Sequence, residues 1–248
     1  MNPHRCRMVL RPRDALEGLD VCLAMFRAFA GPYARLFAVV VVPLALGLGL
    51  ASVLSGRSWW LVVAVVAAAP ALQAPFTMLT GRLLFADDVR VRGVLWDLLG
   101  RAAPLLRATL TRGALALVPV LGAAGVWLPE TALLERVSVR LGLERCWRLA
   151  GGHFGAALVG SMSGIVLTVW GAAVGESTGQ AIVGFVMQLG EPFGSVWAGE
   201  LTPYAVVGAA CVQPLIAVYR LVLYVDVRTR LEGWDLQVAL RAAGLARP

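Results

Sequence analysis

Residues 36–81 read LFAVVVVPLALGLGLASVLSGRSWWLVVAVVAAAPALQAPFTMLTG and carry one charge, Arg57, in 46 positions. An arginine or aspartate at the centre of a membrane helix costs about 2.5 to 3.5 kcal/mol on insertion scales, so uncharged stretches mark what hydrocarbon accepts. Arg57 divides this stretch into Leu36 to Gly56 and Ser58 to Gly81. Each is long enough, at about 1.5 Å per residue, to cross roughly 30 Å. Further along, Leu149 to Gly175 and Leu201 to Tyr219 meet the same test or nearly so, which predicts four full spans. Two runs fall short: Gly113 to Pro129 and Ser177 to Gly190 reach only about 25 and 21 Å as straight helices.

Composition agrees. Residues are 59% hydrophobic and 15% charged, with a mean hydropathy of +0.76. A soluble domain has too little interior for that much apolar surface, so the expected class is all-α: a polytopic membrane helix bundle forming one integral membrane domain over 1–248. The net charge of +7 comes from 22 arginines and no lysine, placed at the ends of apolar runs. That arrangement fits anionic membrane lipids and excludes nucleic acid, whose binders cluster cations on a polar domain. Cys6, Cys22, Cys146 and Cys211 lack paired spacing, so no metal and no cofactor is expected. The charges at Arg5, Arg7, Arg11, Arg13 and Asp14 exclude a cleavable signal peptide at the start.

Arginine placement predicts topology. Arg-rich segments precede the first span, follow the second (Arg82 to Arg112), lie at Arg136 to Arg148 and follow the last. With both termini cytoplasmic, four crossings put nearly every arginine inside, provided that 103–134 enters and leaves on one face. A central hairpin bent near Pro119, Leu121 and Gly122 achieves this. The alternative, six straight spans, puts Arg136, Arg140, Arg145 and Arg148 outside. The segment 179–196 sets Gln180, Gly184, Gln188 and Glu191 on one stripe, predicting an amphipathic helix.

The chain also matches itself. A shift of 138 places Arg82, Leu83, Asp88, Val89, Arg90, Arg92, Trp96, Asp97 and Leu98 on Arg220, Leu221, Asp226, Val227, Arg228, Arg230, Trp234, Asp235 and Leu236: nine identities in seventeen positions. The reading is an internal repeat: pseudo-repeat one about 12–101, the hairpin about 103–134, and pseudo-repeat two about 135–241, parallel about an axis along the membrane normal. Each begins with an interfacial amphipathic helix that turns into the membrane at glycine. In the first, Leu16, Leu19, Leu23, Phe26 and Ala30 form the apolar face; in the second, Val139, Leu143, Cys146, Trp147 and Ala150 do.

Three motifs carry a family resemblance: Arg11-Pro12-Arg13-Asp14-Ala15-Leu16-Glu17, Leu134-Glu135 through Arg145-Cys146-Trp147-Arg148-Leu149, and Leu223-Tyr224-Val225-Asp226-Val227-Arg228-Thr229-Arg230-Leu231-Glu232-Gly233-Trp234-Asp235-Leu236. Together they resemble the glycerophosphoryl diester phosphodiesterase membrane-domain family of bacteria, with the YciC-like inner-membrane proteins as distant relatives. The resemblance covers most of the chain and implies a multi-pass protein of the bacterial inner membrane with a central hairpin. It implies no activity, because the phosphodiesterase domain that names the family is absent.

Asp88, Arg90, Arg92 and Trp96, with their copies Asp226, Arg228, Arg230 and Trp234, are candidates for holding anionic lipid or a partner protein, since guanidinium forks grip phosphate and carboxylate. The competing reading is interfacial anchors with internal Asp–Arg pairs. Gln73, Gln213, Gln188 and Glu191 are candidate polar intramembrane residues, lining a path or bonding between helices. Gly160 and Gly164 suggest a close helix contact, and Glu176, Glu191 and Glu200 read as solvated loop carboxylates. With His4 and His153 as the only histidines, and Met162 where a nucleophilic serine would stand, no catalytic constellation is present. The expected function is a non-enzymatic scaffold or accessory subunit, associating with a partner or as a homo-oligomer; the alternative is a transporter or lipid-handling protein.

Overall fold

The computed structural model describes residues 14–54, 60–85, 89–116, 118–135, 137–190 and 192–233, and among these there is no strand. Among the described residues eleven helices follow in order, with a short 3-10 turn at Val196–Ala198 before the tenth: α1 (Ala15–Ala28), α2 (Ala30–Leu54), α3 (Trp60–Phe85), α4 (Val91–Leu99), α5 (Ala102–Ala116), α6 (Pro119–Ala124), α7 (Leu128–Glu130, continued by a π-helical turn Thr131–Glu135), α8 (Val139–Gly152), α9 (Phe154–Val186), α10 (Pro203–Cys211) and α11 (Gln213–Glu232). Four stretches are long and apolar enough to cross a membrane: α2, Val63–Leu84 within α3, α9, and Pro203–Leu231 built from α10 and α11. The protein is therefore an all-α polytopic membrane bundle, and the charge-free runs located its spans.

Their ends differ from expectation in informative ways. The third span does not stop near Gly175; α9 continues to Val186, 33 residues in all. At about 1.5 Å per residue that is roughly 50 Å, well beyond the hydrocarbon thickness. The amphipathic helix predicted over 179–196 is thus not a separate element. Its stripe is cut where Gln188, Gly190 and Gly194 take positive φ (56°, 69° and 67°), which ends the helix. The last span breaks at Val212, ahead of Pro214, whose missing N–H cannot continue the ladder. Pro43 follows the π-helical turn Phe37–Val41 in α2 for a related reason.

Within one compact unit the chain doubles back after α5. A Cβ built on Gly122 would meet the Ala116 backbone at 3.0 Å, and at the opposite end Arg101 donates to the Leu133 carbonyl. The returning segment, α6 and α7, therefore retraces α5 from 116 back towards 101. α5 itself is 15 residues long and holds Arg107 and Arg112, so it is not among the span-length helices.

The turns expected at glycine fall instead at single residues, Phe29 between α1 and α2 and His153 between α8 and α9. Gly31 and Pro32 sit within the first turn of α2, where proline costs no hydrogen bond. In α1 the protein-facing stripe is Gly18, Cys22 and Met25, while Leu16 and Leu23 are exposed, contrary to the predicted face. Gly18 allows the close approach: its Cβ position lies 3.5 Å from the Tyr219 ring. Large apolar side chains left outside are what a helix in contact with lipid presents. In α8 the prediction fares better, with Cys146 and Ala150 buried and Val139 and Leu143 against the core, though Trp147 is exposed.

The chain divides into two compact units that cut across the predicted repeats. One comprises the described parts of Met1–Tyr33, Ala74–Met162 and Ala217–Pro248, the other Ala34–Gln73 and Ser163–Ile216. The first is centred on Trp127, Leu128, Cys146, Leu149, Leu221, Tyr224 and Val225. In the second, α9 and α10 meet backbone to backbone. A Cβ on Gly208 would lie 2.3 Å from the Gly171 carbonyl oxygen, and one on Gly175 2.6 Å from the Gly208 Cα. Gly160 and Gly164, the expected contact pair, have only ordinary neighbours at 3.6 to 3.8 Å.

Candidate functional site

Hydrocarbon and a packed core both penalise lone charges, so buried ionic groups should lie beside groups of opposite charge. The first unit contains a cluster of this kind. Arg220 on α11, 2% exposed, pairs with Glu130 on α7, 1% exposed. One turn further along, Glu135 takes Arg145 of α8 and Arg228 of α11, each at 2.6 Å, and accepts the Tyr224 hydroxyl. Arg228 also lies 5.7 Å from the centroid of the Tyr224 ring. Arg112 completes the cluster from α5. Its burial, then the neighbouring Arg220 charge, lower its pKa to about 9 against an opposing pull from Glu130. The two glutamates thus pin the hairpin's returning segment to α8 and α11. Neither was singled out as a site in the sequence. The available signal was that they close a short apolar run opposite an arginine-rich exit.

The second motif copy contributes to this set. Asp226 and Arg228 are buried, and Arg230 bonds Asp226 at 3.0 Å across one helical turn. Asp226 and Arg228 are thus paired inside the protein, while Arg230 is exposed. The first copy folds differently although nine of seventeen residues agree: α3 ends at Phe85 and α4 begins at Val91, where α11 continues unbroken. The divergence follows from the positions that differ. Tyr224 and Val225, fully buried, anchor α11 in the core, and Ala86 and Asp87 stand at the matching places. Arg82, the counterpart of Arg220, pairs instead with Asp97. Arg90 and Arg92 are exposed at the start of α4, as is Trp96. Asp88, Trp234 and Glu191 lie outside the described residues.

Trp96 opens onto a groove of about 580 Å³ lined by Asp97, Arg101, Pro104, Arg107, Val137 and Ser138 among others. Arg101 is held by the Leu133 carbonyl and stands 4.0 Å from Asp97. Arg107 is exposed on the outer side of α5. The groove is therefore basic and aromatic, and it draws on α4, α5 and the segment between α7 and α8.

In the second unit the candidate polar residues meet each other. Gln73 donates to Gln213 at 2.6 Å, and Gln213 donates to the Thr168 hydroxyl at 3.3 Å and to the Ala209 carbonyl at 2.9 Å. The last bond covers a carbonyl next to the break before Pro214. The pair is interhelical glue of the kind polar groups form in membranes. Gln188 is exposed and apart from it.

Glu176, expected to be a solvated loop carboxylate, is 1% exposed. It accepts from Gln180 at 2.8 Å, from the Val196 amide at 3.0 Å and from the Thr202 hydroxyl. Thr202 in turn accepts from the Ala205 amide at 3.2 Å, capping α10. One carboxylate thereby ties α9, the following loop and the start of α10 together, a long-range arrangement that proximity in sequence does not reveal.

Compared with known proteins, the chain matches no protein-family model, no curated protein and no solved structure.

Proposed function

We propose that this protein is a non-enzymatic scaffold or accessory subunit of the bacterial inner membrane, with both termini cytoplasmic, that binds anionic lipid or a partner protein at its arginine-bearing face. The observation that carries the reading is the paired state of its polar interior. Glu130 pairs with Arg220, Glu135 pairs with Arg145 and Arg228, and Gln73, Gln213 and Thr168 share one set of hydrogen bonds. A carrier needs polar groups whose partners change between two states, whereas a fixed platform needs them satisfied once. The nine identities between the 82–98 and 220–236 segments favour an origin by duplication, and the second of these segments supports the resemblance to the phosphodiesterase membrane-domain family. An even number of spans returns the chain to its starting side, and the positive-inside rule assigns that side to the cytoplasm.

Chemical crosslinking in native membranes tests the scaffold. The expected product is a complex of fixed stoichiometry, with a second protein or a second copy, and a monomer alone contradicts the reading. The carrier reading has its own measurement. In open membrane sheets, with Cys6 and the exposed Cys211 replaced by alanine, a water-soluble thiol reagent should leave Gln213→Cys unmodified; modification there reveals an aqueous path and favours transport.

A further inference from the structure

We propose that the groove between α9 and the α10–α11 span is a binding site for one acyl chain of a membrane lipid. Residues four apart share a face of a helix, so α9 carries two adjacent rows, Gly171, Gly175 and Gly179 beside Trp170, Val174 and Ile182. The glycine row lets α9 approach α10 down to the Gly208 backbone. The bulkier row then stands beside that contact as one wall, and Val207, Cys211 and Leu215, again four apart, form the other. Between the walls lies a groove of about 560 Å³.

Position, size and chemistry select the occupant. α9 and the Pro203–Leu231 stretch are both span-length, so the groove opens to hydrocarbon. Trp170 and Val174, 57% and 43% exposed, continue the exposed row that includes Val166, and the lipid-facing surface therefore runs into the groove without a break. From Trp170 to Ile182 the wall extends about 18 Å, close to the ~15 Å that one leaflet contributes to the hydrocarbon core. Volume over length gives a cross-section of about 30 Å², narrow beside a helix roughly 10 to 12 Å across. No charged side chain is among the described residues lining the groove. Its hydroxyl groups gather at the Thr202 end, where Thr178 stands with Tyr204, whose buried hydroxyl has no hydrogen-bond partner among the described residues. A chain lying here brings its ester linkage to that end. Left open, the groove is too apolar for water, and its walls forfeit dispersion contacts that a chain restores. The site needs only that these helices cross the membrane and does not rest on the scaffold reading.

The full-length chain, purified in mild detergent, is mixed in turn with palmitoyl-oleoyl phosphatidylcholine and the matching phosphatidylglycerol, and bound lipid is counted by native mass spectrometry. One phosphatidylcholine per chain is expected to survive the activation that strips detergent. Cys211→Trp fills the groove at an exposed position and should remove one lipid of either headgroup, cutting phosphatidylcholine retention roughly 5-fold or more. Val174→Trp, on the opposite wall, should do the same and serves if the first variant folds poorly. Val169→Trp, exposed but outside the groove, should retain the lipid. Unchanged retention in a filled variant that keeps the parent's near-ultraviolet circular dichroism overturns the site. A parent that holds phosphatidylglycerol alone also overturns it, because that selectivity belongs to an arginine-bearing face. A lipid-free dimer that Cys211→Trp converts to monomer overturns it in favour of a helix from a second copy.

Discussion

Glu130→Ala is expected to destabilise the protein by about 3 to 5 kcal/mol, the cost of leaving a buried charge without its partner. Arg220 is 2% exposed. With the carboxylate gone it also faces Arg112, whose charge already works against it. The unfolding midpoint in mild detergent, followed by near-ultraviolet circular dichroism, reads the effect. Replacing both partners, Glu130→Leu with Arg220→Met, should recover most of the loss, because well-packed apolar pairs often equal buried ion pairs. A single variant as stable as the parent would show that the pair does not hold the hairpin to α11.

The second large effect is expected at the glycine contact between α9 and α10. Gly208→Ala places a methyl group 2.3 Å from the Gly171 carbonyl oxygen and 2.7 Å from the Gly175 Cα. Both obstacles are backbone, so the helices must separate. Overpacking of side chains costs about 1 to 3 kcal/mol, and this clash should reach at least the top of that range. Gly164→Ala is the matched control: its nearest neighbour is the Ile216 side chain at 3.8 Å, and alanine is the better helix former. It should be neutral or slightly stabilising in the same melt. Equal losses at the two positions would remove the packing explanation.

These contrasts show what the sequence could and could not disclose. Spans were legible because solvation of a guanidinium is a property of one residue and its surroundings in the bilayer, and Arg57, Arg82 and Arg148 mark boundaries without reference to any partner. The hairpin was legible because Pro119 and Gly122 interrupt a run already too short to cross. Contacts between distant segments were not. The chain offers several glycine pairs at four-residue spacing, and which of them touches a neighbour depends on Gly208 in another helix. The same limit applies to the duplicated motif, where Arg220 and Arg82 are identical in type yet Arg220 is buried and Arg82 half-buried, with Tyr224 following the one and Ala86 the other. Glu176 was misread for the opposite reason: its neighbours in sequence are polar, but its ligands come from Val196 and Thr202. For α1, a rule that turns leucine inward failed because lipid is an equally good home for Leu16 and Leu23.

The central claim is that the segment from about 103 to 134 enters and leaves on one side, so that only four helices cross. Single cysteines at Arg140 and Ser177, both exposed, test it most directly. Cys6 and the exposed Cys211 are first replaced by alanine; Cys22 and Cys146 are buried, and burial pushes both thiols up to about 12, so they stay silent near neutral pH. In intact cells a membrane-impermeant maleimide should label Ser177→Cys and leave Arg140→Cys untouched until the membrane is opened. Labelling of Arg140→Cys from outside would contradict the account and require six crossings.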